Sequence, residues 1–419
     1  MSNRRIVVVG GGAAGMMAAI AAAGQGAEVD LYEKNEKLGK KIYITGKGRC
    51  NLTNACETSQ FPEHVCSNRK FLYSALYGFT AEDVMQFFEE AGTPVKVERG
   101  QRVFPVSDHA SDVTGALARE MKRLGVRIHL NCGVKELLLS DAQEGSVCEG
   151  VRLMDGEWVK ADAVIVCTGG LSYPTTGSTG DGYRFAKAAG HTVTELSPSL
   201  VPFNTADEDT RLLQGLSLRN IQVTIKDGKK TLFDEFGEMM FTHFGVTGPL
   251  ILSASAKVGK KLKEKGELNM MIDLKPAISR QQLDERFLRE FAAHQNGFLK
   301  NVLAKVYPSS LIPVILSRSE LDPSRPIHEI SREERQRLVE VTKCFTCRVV
   351  GMRGYNEAVV TRGGVDVRQV KPDTMESKLT GGLYFAGEVL DLDAVTGGYN
   401  LQIAWSTGHA AGLAAAEMV

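Results

Sequence analysis

The sequence predicts an α/β chain built on a parallel sheet and interrupted by a second domain, on three observations. A run of branched residues, Ile6-Val7-Val8-Val9, passes through Gly10-Gly11-Gly12 directly into Ala-rich sequence, which reads as buried strand, tight turn and helix. Two later apolar runs, 163–167 before Thr168-Gly169-Gly170 and 383–386 before Gly387, also lead into glycine, as strands of one sheet do where backbone approaches a ligand. Between them the pattern changes to short alternating strands over 195–276 and then to helical sequence over 281–342.

Gly10, Gly12 and Gly15 have the G-x-G-x-x-G spacing: the first makes the turn, the second admits a pyrophosphate, and the third lets helix pack on strand. Ala13 and Ala14 open the helix, whose free N–H groups and positive dipole end face the phosphates. A second strand, 27–32, ends at Glu33, 18 residues after Gly15, where an acid receives adenosine ribose hydroxyls. Dinucleotide binding in a Rossmann-like domain is expected.

Length and composition narrow the class. A chain of 419 residues with 43% hydrophobic content supports two or three packed domains. Lys plus Arg and Asp plus Glu each number 50, so no overall field favours nucleic acid or an anionic membrane. Gly10 to Gly15 interrupts the only apolar run near the N-terminus, and no run reaches the ~18 residues of a spanning helix, so a cytoplasmic protein is expected. Eight cysteines in this length are read as thiols. The lone pair Cys344-Phe-Thr-Cys347 lacks both a helix N-terminus and a second pair of ligands, so strand residues are expected there and no metal site.

After Glu33, the stretch from Lys34 through Lys40, Lys41, Thr45, Gly46, Gly48, Arg49, Cys50 and Asn51 reads as a basic, glycine-rich loop. Its position past the second strand favours cofactor contact over a merely solvated loop. Thr80 to Asp83 reads as a capping box opening a helix to Ala91, and helix 111–124 precedes a third parallel strand, 126–130. Antiparallel strands follow from Val134, turning at Asp155-Gly156. Strand 163–167 ends in Thr168-Gly169-Gly170, a second approach to a ligand. The hydroxyl-rich loop 171–183, carrying Tyr173, is expected to touch substrate or cofactor. The inserted stretch contains Phe241-Thr242-His243-Phe244-Gly245; the helices 281–293, 298–306 and 332–342 form a lobe; and the basic run 257–265 reads as a solvated helix face rather than an RNA patch. Strands resume after Cys347 and lead to Gly387-Glu388, Asp391, and Gly398-Tyr399-Asn400-Leu401, where a second glycine turn opens the last helix as another anion or carbonyl site. The expected boundaries are 1–194 with 343–419 for the nucleotide domain, part of 343–375 packing with the insert, 195–276 for the insert and 277–342 for the lobe.

The fingerprint with Glu33, Cys167-Thr-Gly-Gly170 and Leu383-Tyr-Phe-Ala-Gly-Glu388 with Asp391 resemble the FAD-binding motifs of the glutathione-reductase-like flavoproteins. Gly48-Arg-Cys-Asn-Leu-Thr-Asn54, Gly177-Ser-Thr-Gly-Asp-Gly-Tyr183, Phe241-Thr-His-Phe-Gly-Val-Thr-Gly-Pro249, Thr374-Met-Glu-Ser-Lys378 and Gly397-Gly-Tyr-Asn-Leu-Gln402 resemble, more narrowly, the BaiN/YhiN-type NAD(P)/FAD-dependent oxidoreductases. The resemblance implies an FAD domain made from both chain ends with a β-meander, an inserted β-barrel-like domain and a small helical lobe. It implies FAD contacts at Ala14, Gly15, Glu33, Lys34, Lys40, Lys41, Cys50, Asn51, Val134, Glu388, Asn400 and Leu401. Lys40 stands where Arg is frequent in that family, and an ammonium lacks the guanidinium's bidentate fork.

The activity implied is NAD(P)H-dependent reduction of conjugated C=C bonds in 3-oxo bile acids, with tightly bound FAD, hydride leaving flavin N5, and NAD(P)H visiting transiently because only one fingerprint is present. The alternatives are an FAD-dependent amine oxidase of the aminoacetone type and a flavin-bearing RNA- or protein-binding module. An enone reductase needs a proton donor and a stabiliser of the enolate. Tyr173, His243, Arg49 and Tyr399 are the catalytic candidates, each with a structural alternative: packing for the tyrosines, loop bonding for His243, anchoring for Arg49. The expected partner is a small-molecule substrate, with neither nucleic acid nor membrane, and the residues point to no particular oligomeric state.

Overall fold

The computed structural model describes residues 4–142 and 145–417. The chain divides into two compact bodies, Met1–Ser199 with Tyr355–Val419, and Leu200–Gly354. Among the described residues, no helix is long and apolar enough to cross a membrane.

The first body is organised on a five-stranded parallel sheet. Arg5–Val9 lies between Ala163–Val166 and Glu28–Tyr32, with Leu383–Phe385 outside the former and Arg127–His129 outside the latter. The inner strands are continuous apolar runs because both faces are covered: Ile6, Val7, Val8, Val164, Ile165 and Val166 are wholly buried. Helix Ala13–Gly24 covers one face, and its alanines let the last helix, Tyr399–Ala416, approach closely. A Cβ on Gly408 would lie 2.4 Å from the Ala14 carbonyl oxygen, and one on Gly412 would lie 2.3 Å from that of Ala18. The strands Val134–Ala142, Gly145–Leu153 and Trp158–Lys160 form an antiparallel meander, with Thr380–Gly381 added in parallel.

The second body is a closed six-stranded antiparallel barrel with helices. Its strands are Phe203–Thr205, Ser217–Asp227, Lys230–Phe241, Gly245–Thr247, Leu268–Asp273 and Phe345–Met352. Alternate residues, such as Ile221, Val223 and Ile225, point inward and are buried, which is the period-2 pattern of a strand with one apolar face. Helices Arg280–Ala293 and Arg332–Lys343 each start at a serine with a capping box.

Several elements differ from the sequence reading. The stretch after Gly39 is not all loop: Lys40–Ile44 is a short helix and Thr45–Gly48 a 3-10 turn, started by Gly39 at φ +65°. The alternating pattern over 195–276 conceals a helix, Pro249–Lys265, whose first half is small and apolar and therefore buried. Helix Ile312–Arg318, which lies between the expected helices, carries Pro313 in its first turn, where proline is tolerated. The basic run does lie on a helix, where Lys257 pairs with Glu235, and Lys261 and Lys265 with Asp227. Cys344 caps helix Arg332–Lys343 instead of lying in a strand. Cys347 is buried in the barrel strand, where burial pushes its thiol up to about 12 despite the nearby Arg318 charge.

Candidate active site

The glycine turn after Arg5–Val9 is shaped by two backbone collisions and one open position. Gly10 has φ +105°, and a Cβ there would lie 2.7 Å from the Cys167 carbonyl oxygen. A Cβ on Gly15 would lie 1.9 Å from the Gly10 carbonyl oxygen, so helix and turn touch only because residue 15 is glycine. Gly12 has no atom within 4 Å of where its Cβ would be. It precedes a helix with no side-chain cap and no acid in its first turn, which leaves N–H groups and the positive dipole end directed at open space. Beside the turn, Glu33 is buried and accepts from Gly11 N at 2.7 Å, Asn35 N at 2.8 Å and Asn35 Nδ2 at 2.6 Å.

The cations that follow are occupied within the chain. Lys34 Nζ meets Asp181 at 2.6 Å, and Lys40 Nζ meets Glu36 at 3.2 Å. Lys41 Nζ meets Glu388 at 2.6 Å and donates to Ser172 Oγ. Arg49 contacts Glu98 and Asp108 and lies over the Phe104 ring, 4.1 Å from its centroid. Hydrogen bonds donated to those two carboxylates hold its guanidinium even more firmly protonated than usual. Thr45 Oγ1 donates to Ile42 O, and Gly46 and Gly48 have φ +58° and +88°. Cys50 is wholly buried, and burial pushes its thiol up to about 12. Asn51 Oδ1 next to it is buried without a hydrogen-bond partner.

Glu388 joins four separate stretches of chain. Its Oε1 accepts from Ser172 Oγ at 2.7 Å and Thr361 N at 2.8 Å, while Oε2 takes Lys41. Thr361 Oγ1 in turn accepts from Leu171 N and Ser172 N. Gly170 allows this closeness, since a Cβ there would lie 2.4 Å from Thr361 Oγ1. Gly387 has φ +77°, and its N donates to Thr407 Oγ1 at 2.9 Å. Thr168 Oγ1 is buried without a partner, and Gly169 has φ +70°. Val134 is buried at the start of the meander.

At the last helix, Gly398 has φ +100° and a Cβ there would lie 2.3 Å from Thr53 O. Asn400 closes the preceding loop, accepting from Ala394 N at 3.0 Å and donating to Ala394 O at 2.9 Å; Leu401 is half-buried. Asp391 is raised above the usual carboxylate range by burial, against hydrogen bonds from Asn68 and Thr194.

Of the four catalytic candidates, Arg49, Tyr173 and Tyr399 belong to the first body and His243 to the second. Tyr173 is half-buried at φ +49°, with its N donating to Tyr355 O at 3.0 Å. Burial and the Glu357 charge push its phenol up. Tyr399 is buried between His64, stacked at 4.3 Å, and Phe61, edge-on at 5.1 Å; burial, then Cys56, raises its phenol. His243 is exposed on the turn after Lys230–Phe241, packed edge-on against Phe244. Sequence reasoning missed Ser172, Thr361 and Tyr183. The Tyr183 hydroxyl is buried without a partner, and burial followed by the Glu388 charge keeps it protonated. Its signal was its place in the hydroxyl-rich loop; Thr361, in strand Val360–Arg362, gave none.

The model of a family described as "HI0933-like protein Rossmann domain" matches residues 4–414. The chain belongs to this family. With it, the chain belongs to the FAD-dependent oxidoreductases. It is 34% identical over 403 residues, 95% of each chain, to the 3-dehydro-bile acid delta(4,6)-reductase of Clostridium scindens. It is 31% identical over 395 residues to the ribosomal RNA dihydrouridine synthase of Escherichia coli, covering 93% of this chain and 92% of that one. Among solved structures, a 3-ketosteroid delta1-dehydrogenase from Sterolibacterium denitrificans shares the fold, with a TM-score of 0.55, 13% identity, and coverage of 98% and 99%.

The residues present fit an FAD. The open Gly12 position and uncapped helix suit a pyrophosphate, Glu33 stands at the end of the second strand, and the orphaned Asn51 Oδ1 and Thr168 Oγ1 each lack a polar partner.

Proposed function

We propose that this HI0933-like protein reduces a carbon–carbon double bond conjugated to a carbonyl, with FAD as the resident cofactor and NAD(P)H as the transient electron donor. The observation that carries the reading is a bond type common to dissimilar relatives. One is named for a bile-acid 4,6-diene conjugated to a 3-ketone. Another is named for dihydrouridine, which is uridine saturated at the double bond conjugated to its ring carbonyl. The steroid-like 3-oxo substrate is favoured by the higher identity, 34% against 31%. A uridine in ribosomal RNA is the second reading, favoured by the name common to two relatives.

FAD supplies the hydride when bound. Gly12 and the helix behind it, Glu33, Asn51 and Thr168 hold the cofactor, and Lys41 fixes the Glu388 carboxylate among Ser172 and Thr361. Saturating an enone also requires a proton at the carbon next to the carbonyl and a donor toward the carbonyl oxygen. Tyr173 and Tyr183 suit these tasks because burial and neighbouring carboxylates keep both phenols protonated at neutral pH. Tyr399 serves as a packing wall. Arg49 anchors its loop, since two carboxylates already neutralise it.

Anaerobic mixing tests the reading. Bleaching of the flavin by NAD(P)H followed by recolouring with a 3-oxo-4,6-diene steroid is the expected result; recolouring with uridine-bearing RNA alone transfers the activity to the second reading. Bleaching by a small amine with peroxide formed in air overturns both. Tyr173→Phe and Tyr183→Phe, singly and together, separate proton donation from binding: a donor lowers kcat and leaves KM nearly unchanged.

A further inference from the structure

The first body carries a basic groove that the flavin reading does not use. Its cavity, about 670 Å³, is lined by Arg69, Lys70, Phe71, Arg368, Pro372 and Lys378, among others. In a chain with zero net charge, four cations on one groove are a local concentration. Only Arg368 is matched by a carboxylate, Asp366 at 2.6 Å; among the described residues Arg69, Lys70 and Lys378 form no ion pair. Lys378 Nζ donates instead to Arg368 O at 3.0 Å, which holds those two stretches together. Phe71 is half-buried at the cavity wall and offers a face on which a base can stack.

The wall of this groove is bonded to the loop that precedes the last helix. Cys66 N donates to Asp393 O at 2.7 Å, Val395 N donates to His64 O at 2.9 Å, and Val65 bridges Ala394. Asn68 Nδ2 donates to Asp391 O at 2.7 Å. The segment 64–68 therefore has the cation groove on one side and the loop leading to Gly397-Gly398 on the other.

We propose that this groove binds the phosphate backbone of single-stranded RNA, stacking a base on Phe71, and so is the docking site of the ribosomal-RNA substrate. The inference rests on the second functional reading. RNA fits better than a lipid surface because the cations line a concavity with an aromatic wall, which a strand can enter and a flat bilayer cannot.

The test is fluorescence anisotropy of the FAD-loaded holoenzyme with a labelled single-stranded oligouridylate over a series of KCl concentrations. Three net charges predict a slope of log K against log salt of about −2, at roughly −0.7 per phosphate on single strands. Arg69→Ala with Lys70→Ala is expected to weaken binding roughly tenfold or more at about 0.1 M salt and to bring the slope near −0.7, with the flavin spectrum unchanged. Lys378→Ala alone serves if the double variant loses its flavin, and Lys122→Ala, exposed on helix Ala110–Arg123, is the control. Equal affinity and slope in wild type and groove variants overturns the groove and leaves the RNA reading standing. No RNA binding by wild type, together with no recolouring of reduced flavin by RNA, overturns the reading and the groove with it. Groove-dependent binding to phosphatidylglycerol vesicles without binding to oligouridylate also overturns the proposal.

Discussion

Among the described residues four helices of the first body open on glycine, and at two of them, those behind Gly12 and Gly398, the glycine is there for opposite reasons. Gly12 has an ordinary φ of −83° and nothing near its Cβ position, so it leaves room. Gly398 has φ +100° and a Cβ position 2.3 Å from the Thr53 carbonyl, so it is filled. The same sequence signal, glycine before an Ala-rich helix, marks open space in the first case and a backbone contact in the second. The last helix starts against the Thr53–Asn54 strand, with the Asn400 side-chain amide engaged by Ala394.

Substitutions can break this comparison, and the largest effect is expected at Gly15. Its Cβ would collide at 1.9 Å with a backbone oxygen that has no room to move. Gly15→Ala is expected to cost roughly 4 kcal/mol or more, read as a lowered urea midpoint or loss of soluble protein. Gly398→Ala combines left-handed strain with a collision and is expected to cost about 3 kcal/mol in the same measurement. Gly12→Ala should leave the urea midpoint unchanged or slightly higher and weaken FAD about tenfold, roughly 1.4 kcal/mol, measured by flavin retained on ultrafiltration. Equal destabilisation by Gly12→Ala and Gly398→Ala would erase the distinction.

The smallest effect concerns pH and a residue that neither glycine touches. His191 is buried, its Nε2 beside Ser377 Oγ at 2.7 Å and its Nδ1 without a partner; burial lowers its pKa from 6.5 to about 4. The unfolded chain therefore binds the proton first. The native advantage is complete above pH 6.5 and is lost as pH falls through about 4. Between pH 6.5 and about 5.5 the fold should lose about 1 kcal/mol, a slope that His191→Gln removes. An unchanged slope in that variant would place the titration elsewhere.

Elements with a strong local signal were legible: the Ile6–Val9 run, the Thr80–Asp83 capping box, and the Asp155-Gly156 turn all depend on neighbours in sequence. Of helix Pro249–Lys265 only the basic half was legible, because the buried half lacks the polar face that gives a helix its period. The hairpin of Val95–Glu98 and Arg102–Pro105 with Thr53–Asn54 was not legible, because its strands are short and paired across distant positions. At the site, glycines and acids were visible, whereas Thr361 was not, since a threonine in a short strand looks the same wherever it points.

The sequence by itself determined the nucleotide turn, the order of strands and helices around it, and the residues able to carry charge, because each is a matter of local spacing and residue chemistry. Only the tertiary structure decided which charges are already spent: Lys34, Lys40, Lys41 and Arg49 each meet a carboxylate, while among the described residues Arg69, Lys70 and Lys378 meet none. The physical reason is that pairing depends on distance in space. Lys41 and Glu388 lie at opposite ends of the chain, and only the parallel sheet brings them within 2.6 Å.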